Sequence, residues 1–379
     1  MGLKMHFSVF LAGRSASPSD DHAVIHQTVQ HAKDAEALGY DAVFCPDHHF
    51  TGYAPMASDP FIFAAYLAGQ LKRVKFGFSV TTIPLHHPVR IAERINLLDQ
   101  LTEGRLLVGI GSGTTPEEMI GFGVNYKETS RISEENLAIA EQLWNKGLDD
   151  APVQFDTGHY KGAVIQRIVP APYGDKHAPL MSVALRPSSA ERAAKAGYPA
   201  FIPAFTPPKI GGTDPYSHVL KYFTVYRDAL LAAGHSQAVI DKALEWTTHT
   251  YQCVHVAETD EKARAELEII LTAYQESVER ELVYNKRAEE ISDVKIHEAP
   301  DALSDDWIAT WCLYGSPETV IKHLQEYADL GIGNILLGFS NGPLTPERIR
   351  LGRESMTLFA EQVMPHFANA KLALSLIHI

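Results

Sequence analysis

The chain of 379 residues carries 46 Asp and Glu against 33 Lys and Arg, a formal net charge of −13. With no basic run or basic helix face, that balance excludes nucleic acid, whose binding rests on clustered Lys and Arg meeting phosphates. At 45% hydrophobic and 21% charged residues it reads as a soluble globular protein with a large core, of a length that suits one elaborated α/β barrel. No stretch reaches the roughly 18 to 20 apolar residues of a membrane helix, and the first strand, Phe7 to Ala12, is too early and too short for a secretion signal. Cys45, Cys253 and Cys312 are scattered and read as reduced, buried thiols of a cytosolic protein. The 18 histidines are dispersed and show no HxH spacing, so no metal is expected.

Strand and helix periodicities alternate along the chain. Met5 to Ala12 is a predicted strand, His22 to Leu38 an amphipathic helix stopped by Gly39, and Ala42 to Cys45 a strand. Helix Phe61 to Leu71, strand Val74 to Ile83, helix Pro88 to Leu101 and strand Arg105 to Ile110 follow. A helix from Ser133 to Asn145 precedes a predicted hairpin, Val153 to Phe155 with His159 to Tyr160. Next come strand Leu180 to Ala184, helix Ser188 to Ala196, strand Ala200 to Pro203, helix Tyr216 to Ala233, strand Thr247 to Val256 and helix Thr259 to Tyr284. Helix Pro317 to Leu330, strand Asn334 to Leu337 and helix Pro346 to Phe367 close the pattern. Strands that feed helices number eight, the count of a (β/α)₈ TIM barrel, and one domain over residues 1 to 371 is expected. Phe205 to Asp214 reads as a Pro/Gly loop, Asn285 to Asp306 as a polar segment fit for a lid, and Leu372 to Ile379 as an apolar tail outside the fold.

In a parallel barrel the carboxyl ends of the strands carry the chemistry. Four such ends stand out. The first is Asp47-His48-His49, where imidazole can move protons near neutral pH. The second is Ser79-Val80-Thr81-Thr82, a strand end that turns polar before His86 and His87. The third is the glycine-rich turn Gly109-Ile110-Gly111-Ser112-Gly113, where a planar ligand can approach the backbone. The fourth, Leu185-Arg186-Pro187-Ser188-Ser189, opens a helix whose free N–H groups and dipole favour an anion such as phosphate. A tight turn and a bare helix cap account for the third and fourth equally well when each is taken alone.

These segments, in this order, resemble the bacterial luciferase-like, flavin-dependent monooxygenases. The resemblance rests on Asp47 to Tyr53, on Val74 to Arg90, on Ala92 to Arg105 followed by Gly109 to Gly111, on Tyr314 to Glu318 and on Ser355 to Pro365. It implies a TIM barrel holding reduced FMN (FMNH₂) and using O₂ to oxygenate a small apolar substrate through a flavin C4a-peroxide. It also implies a separate flavin reductase as partner, a homodimer, and no nucleic acid or membrane partner. By the same resemblance His48 takes the family's active-site position, with Asp47 or His49 orienting it. Ser79 and Val80 stand where the family often has a non-prolyl cis peptide beneath the flavin. Thr81, Gly111 and Ser112 join the cofactor site, and Leu185, Arg186, Ser188 and Ser189 hold its phosphate. Gly111 and Ser112 replace a cysteine and an arginine of the light-emitting subunit, which speaks for a plain oxygenase.

Three other readings share these residues. One is a coenzyme F420-dependent hydride-transfer enzyme on the same fold. Another is a metal-dependent barrel hydrolase using His48, His49, His86 and His87. The third is a flavin-binding subunit without activity, which the presence of His48 disfavours.

Overall fold

The computed structural model describes residues 4–50, 54–184, 186–203, 214–292, 301–339 and 342–368. Eight strands close a barrel: β1 (His6–Phe10), β2 (Ala42–Cys45), β3 (Lys75–Thr82), β4 (Leu106–Gly111), β5 (Leu180–Val183), β6 (Ala200–Phe201), β7 (Thr248–Tyr251) and β8 (Asn334–Leu337). Each pairs in parallel with its sequence neighbours, and β8 returns to β1. The sheet thus has no open edge, and one rim collects every strand's carboxyl end.

The helices lie around it: α1 (Asp21–Ala37), α2 (Pro60–Ala68), α3 (Pro88–Thr102), α4 (Pro116–Gly121), α5 (Thr129–Trp144) and α6 (Pro187–Ala196). The second half adds α7 (Pro215–Ala232), α8 (Gln237–Glu245), α9 (Asp260–Ser292), α10 (Asp305–Trp311), α11 (Pro317–Leu330) and α12 (Pro346–Leu358).

Alternation along each strand separates two cores. Outward residues such as Val43, Phe76, Phe78 and Val108 pack with the helices, while Ala42, Phe44, Leu107, Met181, Phe201 and Leu336 fill the interior. Gly109 lets β4 lie against β3, since a Cβ there would stand 2.0 Å from the Phe78 carbonyl oxygen. At the amino-terminal end of β8, Asn334 closes the interior with hydrogen bonds, accepting from Ser8 at 2.7 Å and donating to Thr248 Oγ1 at 3.0 Å.

The structure corrects three expectations. The hairpin pairs Val153–Asp156 with Lys161–Val164, because His159 and Tyr160 lie in the turn, where Thr157 Oγ1 accepts both of their amides. The run Thr247 to Val256 is two strands: β7 ends at Tyr251, and Cys253–Val256 leaves the barrel to pair with Cys312–Gly315. The segment Asn285 to Asp306 is helical at both described ends. Its first residues extend α9 to Ser292, and Ser304 caps α10. On either side of that segment, Leu267, Leu271, Tyr274 and Val278 of α9 pack with Trp307 and Ile308 of α10 in a satellite core. Residues 293–300, most of the Phe205 loop and the Leu372 to Ile379 tail lie outside the described residues.

Two core histidines set an acid limit on stability. His249 is buried, its Nδ1–H donating to the Ile202 carbonyl (2.9 Å) and its ring stacked on Tyr327. Burial lowers His249 to about 4, and burial likewise lowers His31 to about 4. In the unfolded chain both take a proton near pH 6.5, whereas the folded state stays neutral until about 4. Stability therefore falls as pH drops through that window, by on the order of a few kcal/mol per histidine. Urea midpoints should fall steeply between pH 6.5 and 4.5, and a flat profile there would contradict the assignment.

Candidate active site at the carboxyl rim of the barrel

The rim is organised by the segment leaving β2. Asp47 is 1% exposed. Its Oδ2 accepts the Thr82 amide at 2.8 Å and lies 2.9 Å from His86 Nε2, while Oδ1 is 3.4 Å from His49 Nε2. Burial alone would raise this carboxyl, but hydrogen bonds from His49, His86 and the Thr82 amide outweigh it and hold Asp47 well below the usual carboxylate range. Asp47 is thus an ionised tie between the ends of β2 and β3.

The carboxyl group that meets His48 is Glu118, on α4. Glu118 Oε1 lies 2.9 Å from His48 Nδ1 and accepts the His49 amide at 2.8 Å. Its side chain is 1% exposed, against 31% for His48, and Oε2 is buried without a hydrogen-bond partner. The expectation that Asp47 or His49 orients His48 is corrected here, because Asp47 is spent on Thr82, His86 and His49. With a carboxylate at Nδ1 that nitrogen carries the proton, and exchange with a reacting group is routed through Nε2.

Glu118 is absent from the reading of the sequence. It lies 70 residues from His48, and only the start of its helix is written locally: Thr115, Pro116 at the first position, then Glu117 and Glu118 in the first turn. Arg14 and Glu281 are likewise unforeseen. They form a half-buried ion pair between the segment after β1 and α9, with Arg14 also 5.4 Å from the centre of the Tyr274 ring. Arg280 adds a bond to the Ala16 carbonyl at 3.3 Å, so α9 is tied to the rim.

On β3 the Ser79–Val80 peptide is cis, and the pairing with β4 shifts register between Phe78 and Thr81. Val80 turns into the barrel, where it joins Phe10 and Val183 as half-buried apolar side chains on top of the interior cluster. Beside them Gly111 has room for no Cβ, which would lie 2.6 Å from Val80 Cγ2. Ser79, Gly111 and Ser112 are half-buried at the rim. Thr81 is different: it is fully buried, with Oγ1 lacking a hydrogen-bond partner. Its side chain is closed to a ligand at the mouth, because Thr81 stands opposite the outward-facing Ile110.

The start of α6 opens on the same rim. Arg186 and Ser188 are exposed there. Ser189 is committed to the helix itself, its Oγ accepting the Arg186 amide at 3.0 Å and donating to the Arg186 carbonyl at 2.9 Å. Leu185 lies outside the described residues. An apolar floor of Phe10, Val80 and Val183, the bare backbone of Gly111 beside it and a helix amino terminus with a cation and a hydroxyl fit a flat aromatic ring with a phosphate tail.

The four histidines of the hydrolase reading diverge. His48 meets Glu118, His49 and His86 share Asp47, and His87 caps the Val89 amide (3.2 Å) beside Tyr160. Among the described residues no group of three or more His, Cys, Asp or Glu could hold a metal ion.

Residues 5–334 match the profile of a family described as Luciferase-like monooxygenase. The chain belongs to that family. It is 27% identical over 370 residues to the limonene 1,2-monooxygenase of Rhodococcus erythropolis, across 96% of this chain and 87% of the relative. Its fold is that of the oxygenating constituent of 3,6-diketocamphane monooxygenase from Pseudomonas putida, solved in complex with FMN, at a TM-score of 0.73, 20% identity, and coverage of 97% and 100% of the two chains. A similar fold, at a TM-score of 0.64 and 18% identity over 95% and 98% of the chains, occurs in an F420-dependent secondary alcohol dehydrogenase solved with an F420-acetone adduct. As a luciferase-like monooxygenase family member the protein is an oxidoreductase on a TIM barrel, and among the described residues no helix is long and apolar enough to cross a membrane.

Proposed function

We propose that this luciferase-like protein is the oxygenating component of a two-component system, taking reduced FMN from a separate reductase in the cytoplasm and transferring one oxygen atom from O₂ to a small apolar substrate. The observation that carries this reading is the half-buried apolar floor of Phe10, Val80 and Val183 beside the bare backbone of Gly111, with the His48–Glu118 pair on the same rim. Bound reduced FMN would supply the electrons that activate O₂. Val80, Ser79, Gly111 and Ser112 would seat the ring, and Arg186, Ser188 and the α6 amino terminus its phosphate. Ser189, whose hydroxyl caps α6, contributes through its backbone. His48 holds or delivers a proton at Nε2 while Glu118 fixes the ring, Asp47 ties the loop below, and α9, latched by Arg14–Glu281, limits water at the mouth.

The test is isotopic. Protein mixed with reduced FMN, ¹⁸O₂ and limonene or a long-chain aldehyde should yield a product carrying one labelled oxygen. Unlabelled product, or none with any apolar substrate, rejects the reading. Hydride transfer with F420 is the second reading, favoured by the shared fold of the F420-dependent dehydrogenase and by the acid–base character of His48–Glu118. Reduction of oxidised F420 by a secondary alcohol would select it.

The homodimer is proposed through α2 and α3, which pack together and leave Ile62, Tyr66, Leu97 and Leu101 exposed at four-residue spacings. Leu97→Glu with Ile62→Glu should convert a dimer to monomer by light scattering. A dimer of undiminished affinity in the double variant would place the interface elsewhere.

A further inference from the structure

Phe50, directly after His49, is one of two described non-glycine residues with left-handed backbone, at φ 68°, a conformation bulky side chains rarely adopt. It is also 53% exposed, an unusual setting for an aromatic ring. Such an outlier persists where its surroundings impose it. Here the ring lies against Gly121, where a Cβ would come within 2.3 Å of Phe50 Cε2. It also packs on Phe122, with centroids 5.8 Å apart, and Phe122 in turn meets the His49 ring edge-on at 4.6 Å.

Gly121 ends α4, the six-residue helix that carries Glu118. A helix this short does not hold itself in place, so its position comes from tertiary contacts. Met119 anchors one face in a small core with Leu85, Val124 and Ile132. On another side α4 meets α9, and the contact from the loop after β2 sets its roll about its own axis, the motion that would carry Glu118 away from His48 Nδ1. Phe50 supplies that contact, from the same loop that carries His48.

We propose that Phe50, through Gly121 and Phe122, is a positioning residue that locks α4 against the loop after β2 so that the Glu118 carboxyl meets His48. The proposal rests on reading His48–Glu118 as the acid–base pair of the site. It assigns Gly121 a steric purpose, which is to admit the Phe50 ring.

The test uses the full chain, labelled with ¹⁵N-histidine. The His48 Nδ1–H resonance, assigned as the downfield imidazole signal lost in His48→Gln, reports the bond to Glu118 directly. It should vanish or move upfield in Glu118→Gln, in Phe50→Gly and in Gly121→Ala, and stay in Phe50→Tyr, which keeps the ring. Phe50→Gly suits the backbone at φ 68°, so it keeps the fold even where Gly121→Ala fails to. A second measurement is hydrogen peroxide release after mixing with reduced FMN and air. It should rise at least about tenfold in Phe50→Gly and stay within about twofold in Phe50→Tyr. The proposal is overturned if Phe50→Gly retains the wild-type resonance, or if the wild type lacks it. If the resonance follows this pattern but the wild type oxygenates nothing, the proposed function fails while the clamp stands.

Discussion

His48→Ala should abolish most oxygenation, by about 10²- to 10⁴-fold, the range of a lost general acid–base group, while leaving the barrel folded. The side chain stands at the rim and is 31% exposed, so its removal opens no core cavity. In the same variant hydrogen peroxide released per reduced FMN consumed should rise, because the group that holds or delivers a proton at the reacting edge is gone. Glu118→Gln should fall between wild type and His48→Ala, since an amide still meets Nδ1 but no longer favours the protonated ring nitrogen. The double variant His48→Ala/Glu118→Gln should be no worse than His48→Ala, because Glu118 acts through the imidazole. Product yield and peroxide release in stopped-flow mixing with air check all three. Coupled oxygenation by His48→Ala at wild-type level would remove the residue from the mechanism.

Asp47→Ala should destabilise the fold by about 3–5 kcal/mol, the usual cost of breaking a buried charged network by removing one partner. The side chain is 1% exposed and ties the Thr82 amide, His86 and His49. Without it a buried N–H and two imidazoles lose their acceptor together. Asp47→Asn keeps an acceptor for the Thr82 amide and should lose less than half as much. Urea unfolding at pH 7.5 measures both. A loss below about 1 kcal/mol for Asp47→Ala would show that the tie is not what holds the ends of β2 and β3 together.

The barrel is legible in the sequence because its strands are short apolar runs punctuated by helix stops, a local pattern. His48 is legible for the same reason, as an imaginable acid–base group at a strand's end. What acts across distance is not. Glu118 reaches His48 from 70 residues away, and Arg14 meets Glu281 across 267; no local spacing encodes such a meeting. The run Thr247 to Val256 hides its break because both halves are rich in β-prone Thr, Tyr and Val, and only the pairing of Cys253–Val256 with Cys312–Gly315 separates them. The long α9 outruns its sequence signal because its last turns, residues 285–292, are mostly polar and carry no apolar stripe, although Ala288 is buried. Thr81 misleads in the other direction: its polarity suggests a ligand, and its register opposite Ile110 buries it.

The most direct test of the account is a crystal structure of the protein with reduced FMN. The flavin ring should lie over Phe10, Val80 and Val183, its phosphate at the start of α6 beside Arg186 and Ser188, and His48 Nε2 within hydrogen-bond distance of the ring's reactive edge. A flavin bound elsewhere, or a ring at the mouth with His48 turned away from it, would contradict the account.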